Sequence, residues 1–79
     1  MNQYVLTILK KKKLFDEITF FANDPIEALK RMYDTFEAYD GEYNIFLYLY
    51  VENGKNEEIA RLTTYTKRRK RRWKHQKNK

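Results

Sequence analysis

The chain contains one strong helix start, and its position limits how the rest of the sequence folds. Asp24 is placed to cap free amides, Pro25 suits the first helical position, and Glu27 favours the positive end of the helix dipole. Apolar residues then recur at helical spacing, namely Ile26, Leu29, Met32, Tyr33 and Phe36. Gly41 is a stop signal, so the pattern predicts a helix over roughly residues 25–39.

The segments on both sides of this helix have the period of β-strands. Residues 43–51 alternate with apolar or aromatic side chains on both faces, which is typical of a central strand. Asn53-Gly54 predicts a hairpin turn because both residues tolerate positive φ, and residues 59–66 form another β-rich run. Residues 4–10 and 15–22 are predicted as an earlier hairpin that turns around residues 11–14, where no glycine is present.

This order of elements predicts an α+β fold of the type ββαββ. Residues 1–66 are interpreted as one domain and residues 67–79 as a basic, flexible C-terminal tail. The simplest closure is a four-stranded antiparallel sheet of order 2-1-3-4, with the helix packed on one face. Placing strand 4 beside strand 1 is less favoured, because it makes that pair parallel.

One helix covers only one face of such a sheet, so the other face is predicted to expose aromatic side chains. The residues assigned to this aromatic sheet face are Phe46, Tyr48, Tyr50 and Tyr65, with Arg61 and Phe21 nearby. A homodimer or another protein contact is one use of such a face, and a stacking platform for single-stranded nucleic acid is another. A hydrated face without a partner, or one covered by the tail through Trp73, also agrees with the sequence.

Charge is distributed very unevenly along the chain. The net charge is +6, but residues 67–79 contain nine basic residues and no acidic one. Residues 1–66 hold the other eight basic and all eleven acidic residues, which leaves a net charge of −3. The residues assigned to anion binding are Lys67, Arg68, Arg69, Lys70, Arg71, Arg72, Trp73, Lys74, Lys77 and Lys79.

A basic run of this density favours nucleic acid, DNA or RNA, as the partner of the tail. Each phosphate that it neutralises releases condensed counterions, and arginine adds bidentate contacts and stacking. A run of point charges reads no sequence, so little sequence preference is expected. The alternatives are a nuclear-import signal, an anionic membrane surface, an acidic protein groove and a solubilising terminus.

A second basic cluster, Lys10 to Lys13, falls at the predicted first turn. Such a cluster is most often a solvated turn that discourages edge pairing. If it lies on the same side as the tail, the two form one continuous phosphate-binding surface, which the sequence does not decide.

The residue types present do not support catalysis. The chain has no serine and no cysteine, and its one histidine, His75, lies in the tail, so the usual nucleophile–base pairs are not available. The carboxylates are scattered and predict no metal site, and no glycine-rich phosphate loop is present. The chain is therefore interpreted as a non-enzymatic protein without cofactors.

Length and hydropathy predict an intracellular, cytoplasmic protein, with association with the nucleoid as a variant of this location. No stretch approaches the roughly 20 apolar residues that span a bilayer, and the lysines follow the first apolar segment instead of preceding it as in a secretory signal. Lysine, asparagine and tyrosine are frequent, as in small phage or bacterial proteins. A regulator that binds a host protein is therefore the alternative to nucleic-acid binding.

Overall fold

The computed structural model describes residues 1–66, which form one sheet and one helix. The elements are β1 (Asn2–Lys10), β2 (Lys13–Ala22), α1 (Pro25–Ala38), β3 (Asn44–Leu49) and β4 (Glu57–Thr63). All neighbouring strands are antiparallel in the order β2-β1-β3-β4, so the predicted α+β fold and strand order are confirmed. The predicted tail, residues 67–79, lies outside the described residues.

Helix α1 begins where the sequence predicts it. The Asp24 carboxylate accepts a hydrogen bond from the Glu27 amide at 2.9 Å, and the Glu27 carboxylate accepts one from the Asn23 amide at 2.8 Å. The first bond satisfies one of the amides that a helix start otherwise leaves free, and the second fixes the residue that precedes the cap. The predicted apolar stripe is partly wrong, because Ile26 is 67% exposed and Tyr33 is 55% exposed.

Ile26 and Tyr33 lie outside the side of α1 that packs on the sheet. Ala28 and Met32 are fully buried, with Leu29 and Phe36 partly buried beside them. They cover side chains from β1, β2 and β3, and the buried core comprises Tyr4, Leu6, Ile8, Phe20, Ala22, Ala28, Met32, Ile45 and Leu47. Because strand side chains alternate, the neighbours of these residues lie on the opposite face of the sheet.

The helix ends differently from the sequence prediction. Tyr39 follows the last helical residue with an extended backbone (φ −92°, ψ 136°), so Gly41 does not act as a left-handed helix cap. Gly41 instead has φ 125° in the connection to β3, and its amide donates to the Tyr65 carbonyl at 3.2 Å. A glycine is needed there because L side chains rarely adopt this φ.

The β1–β2 turn is tighter than the sequence predicts. Lys10 pairs with Lys13, so only Lys11 and Lys12 connect the strands, with φ values of 54° and 68°. Positive φ at both central positions is the backbone of a type I′ turn, which normally selects Asn-Gly. A register shift between Ile8 and Leu9 leaves Phe15 as an extra residue on β2.

The β3–β4 connection is longer than the predicted two-residue turn. β3 ends at Leu49 and β4 begins at Glu57, and only Asn53 of the predicted pair has positive φ (63°). The Gly54 amide donates to the Val51 carbonyl at 3.3 Å, and the Asn56 side chain accepts from the Val51 amide at 3.2 Å. The turn signal was therefore located correctly, but a wider loop surrounds it.

Within the described part of the chain, no helix has both the length and the apolar character that crossing a membrane requires.

Candidate functional site

The sheet face opposite the helix brings together three of the residues assigned to it from sequence. Phe46 on β3 lies between Thr7 on β1 and Arg61 on β4, and Tyr48 occupies the next row on the same face. The rings of Phe46 and Tyr48 are stacked, with centroids 6.2 Å apart and planes 15° apart. Both rings are half-buried, so they form a flat aromatic surface that remains accessible from one side.

Arg61 is engaged by its neighbours on this face. Its guanidinium lies 5.2 Å from the centroid of Phe46 and binds both carboxylate oxygens of Glu58, at 2.7 and 3.0 Å. These hydrogen bonds hold the pKa of Glu58 below its usual range, so this carboxylate is ionised at neutral pH. A guanidinium bound in this bidentate way has fewer donors left for an incoming phosphate.

The charge on the same face is not positive. Glu17 lies in the row of Thr7, Phe46 and Arg61, and Glu58 lies in the row of Tyr48. These two central rows therefore carry two carboxylates and one arginine that is already paired. The aromatic surface offers stacking but little attraction for a phosphate backbone.

Two of the other aromatic residues assigned to this face lie at its margin. Tyr50 follows the last residue of β3, is 44% exposed, and its amide donates to the Gln3 carbonyl at 2.9 Å. Phe21 on β2 lies opposite Gln3 and is also exposed. Neither is packed into the stacked pair, although both extend the apolar area along one end of the sheet.

The structure places Tyr65 on the helix side, which corrects its assignment to the aromatic sheet face. Its ring lies 6.0 Å from that of Phe36 on α1, at 72°. The reason is that β4 ends at Thr63 and the next residue, Thr64, is buried, so the strand alternation does not continue to Tyr65.

Thr64 attaches the end of β4 to the connection between α1 and β3. Its backbone amide donates to the Tyr43 carbonyl at 2.8 Å, and its hydroxyl accepts from the Tyr43 amide at 2.9 Å. The same hydroxyl donates to the Gly41 carbonyl. The side chain is only 2% exposed, so these bonds are shielded from water and fix where the chain leaves the sheet.

An aromatic cluster that the sequence did not reveal lies beside this attachment. The rings of Tyr39 and Tyr43 are 4.9 Å apart, and Phe15 lies 5.1 Å from Tyr43. Lys10 places its ammonium group 4.6 Å from the Tyr43 centroid. Partial burial, the charge of Asp16 and contact with Tyr43 raise the pKa of Tyr39. The irregularity at Phe15 hides this cluster, because no glycine marks the extra residue.

The lysine turn and the last described residues of the chain lie at this same end of the sheet. The β1–β2 turn follows Lys10 directly, and the register aligns Leu9 with Asn44 and Asn44 with Thr63. Thr66, the last described residue, follows three positions later. The described part of the chain therefore ends on the same side of the sheet as the lysine turn, whereas Asn53 and Gly54 lie at the opposite end.

The remaining predicted site residues belong to the tail, and no metal site was predicted. The ten tail residues assigned to anion binding lie outside the described residues. Within residues 1–66, no group of three or more acidic or histidine side chains is arranged to hold a metal ion.

Comparison of the chain with protein-family models, with curated proteins and with solved structures gave no match.

Proposed function

We propose that this protein binds polynucleotides without catalysing a reaction and that residues 67–79 hold the phosphate backbone. The observation that carries the proposal is the charge separation, with nine basic residues in the last thirteen positions and a net charge of −3 on the preceding 66. A body of the same sign as nucleic acid does not attract it, so attraction is concentrated in one segment.

Counterion release is the physical source of this affinity. A polynucleotide carries a condensed layer of cations, and each Lys or Arg that contacts a phosphate returns a cation to bulk solvent. Four arginines in the run add bidentate contacts to phosphate oxygens, and Trp73 adds a ring that can stack on a base. Contacts of this kind position the backbone and discriminate little between sequences.

A salt titration tests this mechanism. If about six of the nine charges engage duplex DNA, the logarithm of the association constant falls with the logarithm of salt concentration at a slope of about −5. Fluorescence anisotropy on two unrelated duplexes of equal length measures it, and both duplexes are expected to give the same slope and similar affinities. A slope near zero, or a strong preference for one duplex, contradicts the proposal.

The aromatic sheet face supports a second candidate function, a protein contact. Phe46 and Tyr48 are stacked and half-exposed, and the carboxylates of Glu17 and Glu58 beside them disfavour phosphate. Aromatic residues are enriched in the centres of protein interfaces, where a flat surface of this kind is buried. In this reading the face forms a homodimer or binds a host protein, and the tail acts independently.

The triple variant Phe46→Ala, Tyr48→Ala, Tyr50→Ala separates the two roles of the body. We expect its affinity for polynucleotides to change by less than about threefold, because the electrostatic contacts remain. Self-association in sedimentation equilibrium, or capture of a protein partner, is expected to be lost, because the aromatic contact area is gone.

The double variant Ile26→Ala, Tyr33→Ala is the matched control, since it removes exposed apolar side chains from the helix instead. Circular dichroism verifies that both variants are folded. If the triple variant loses tenfold or more in polynucleotide affinity and the control does not, the sheet face stacks bases and the protein-contact candidate is contradicted.

A further inference from the structure

The β1–β2 turn combines a strained backbone with an unusual concentration of charge. Lys11 and Lys12 occupy the two positive-φ positions of the turn, at 54° and 68°, where Asn-Gly is the low-energy choice. Residues other than glycine, asparagine and aspartate enter this region at a cost. Four consecutive lysines also repel one another. A turn that opposes both local backbone preference and electrostatics is a candidate for a binding role.

The lysines of this turn are not neutralised by the body. The turn holds four of the eight basic residues among positions 1–66, and no acidic residue precedes Asp16. Within residues 1–66, no carboxylate forms an ion pair with Lys10, Lys11, Lys12 or Lys13. Lys10 contacts the ring of Tyr43, which leaves its positive charge in place.

Tyr43 connects the lysine turn to the end of β4, a few residues before Lys67 in the sequence. Tyr43 contacts Lys10 through its ring, and its backbone exchanges hydrogen bonds with Thr64 at 2.8 and 2.9 Å. β1 and β4 are separated by β3 alone, so two strand spacings, about 10 Å in total, lie between them. Measured along the axis of duplex DNA, this length corresponds to about three base-pair steps.

Three carboxylates also lie at the end of the sheet that carries the β1–β2 turn. They limit the direction from which a phosphate backbone can approach the lysines. Asp16 belongs to β2, and Asp40 and Glu42 flank Gly41 in the connection after the helix. Lys11 and Lys12 form the tip of the hairpin beyond the last paired residues and are exposed. A phosphate backbone that approaches along the hairpin tip meets these two ammonium groups before it meets the carboxylates.

We propose that the Lys10–Lys13 turn is a second phosphate-binding element of the protein, which acts with residues 67–79 on the same polynucleotide backbone. This inference rests on the proposed function. It adds that the folded body contributes directly to binding and that the lysines at the strained turn positions supply phosphate contacts.

The double variant Lys11→Asn, Lys12→Gly tests this inference, because it moves stability and binding in opposite directions. Relief of the strained turn is expected to raise the melting temperature by about 4–8 °C. Loss of two phosphate contacts is expected to reduce the salt slope by about 2 and the affinity for duplex DNA by on the order of tenfold at 0.1 M salt. If this variant binds DNA more weakly while it melts at a higher temperature, the loss of affinity cannot be attributed to unfolding.

Two further variants of the full chain complete the test. Lys11→Gln, Lys12→Gln removes the same charges without relieving the turn, so it is expected to lose the same affinity with no rise in melting temperature. Lys30→Gln, Lys55→Gln removes two charges from the helix and from the β3–β4 loop, far from the turn, and is expected to keep the wild-type slope within about 0.5.

The outcomes separate this inference from the proposed function. If the wild-type protein binds duplex DNA and both turn variants keep its slope and affinity, the turn is a solvated loop and the inference is wrong. If the Lys30, Lys55 control loses as much affinity as the turn variants, net charge alone acts and the inference is also wrong. If the wild-type protein does not bind at all, the proposed function itself fails.

Discussion

A chain that ends at Thr66 is expected to lose at least about 100-fold in affinity for any polynucleotide. The deletion changes the net charge from +6 to −3, so the remaining body repels phosphate overall. The stability of the fold is expected to change by less than about 0.5 kcal/mol, because the deletion keeps the buried core, which lies within residues 4–47. It also keeps the backbone hydrogen bonds between Thr64 and Tyr43 and between Tyr65 and Gly41.

Gel-shift or anisotropy titrations at fixed low salt measure the loss, and urea unfolding measures the stability. The matched control is a full-length chain in which the order of residues 67–79 is scrambled. It keeps all nine charges and is expected to retain affinity within about threefold, because counterion release depends on charge and not on sequence. Wild-type affinity in the shortened chain, or loss of affinity in the scrambled one, contradicts the assignment of binding to these charges.

Replacement of Thr64 by valine is expected to reduce the free energy of unfolding by about 2–3 kcal/mol. Valine fills the same volume, so no cavity forms. The Tyr43 amide and the Gly41 carbonyl, however, both lose the partner that the buried hydroxyl provides. A buried polar group without a partner costs about 1–3 kcal/mol, and here two such groups are created.

Thr63→Val is the control for this substitution because it changes the neighbouring residue in the same way. The Thr63 hydroxyl donates to the Asn44 side chain at 3.0 Å in an exposed position, so its loss is expected to cost less than about 0.5 kcal/mol. Urea titration followed by circular dichroism gives both values. If Thr64→Val is no less stable than Thr63→Val, the Thr64 hydroxyl is not the attachment that fixes the end of β4.

Local signals in the sequence were sufficient to predict the helix and the order of the strands in the sheet. Asp24, Pro25 and Glu27 act through bonds within one helical turn, so their effect is readable without tertiary structure. The strand order 2-1-3-4 follows from the same reasoning, since two hairpins joined by one helix have few antiparallel closures. The apolar residues on both faces of β3 likewise indicated the aromatic pair of Phe46 and Tyr48.

The misjudged features depend on tertiary contacts or on strain. Ile26 and Tyr33 fit the predicted helical stripe, but the side of the helix that packs on the sheet buries Met32 together with Ala28 and leaves those two residues exposed. A Lys-Lys turn with positive φ contradicts local propensity, so sequence reasoning favoured a longer turn. Tyr65 lies on the helix side because Thr64, the residue before it, is buried in a hydrogen-bond network with Tyr43 and Gly41.

The position of the last described residues beside the lysine turn was also hidden in the sequence. It depends on the register that aligns Leu9, Asn44 and Thr63 across three strands, which no local pattern specifies. Once that register is known, the end of β4 is seen to lie at the same end of the sheet as the lysine turn. The candidate site is therefore a property of the sheet pairing as much as of the charges themselves.

The most direct test of the central claim is equilibrium binding of the intact 79-residue chain to duplex DNA, single-stranded DNA and RNA at about 10 mM salt, where screening is weakest. Association with all three, weakened in each case by added salt, is the result that phosphate binding by residues 67–79 predicts. No association with any of them under these conditions contradicts the claim and leaves the protein contact through Phe46 and Tyr48 as the remaining function.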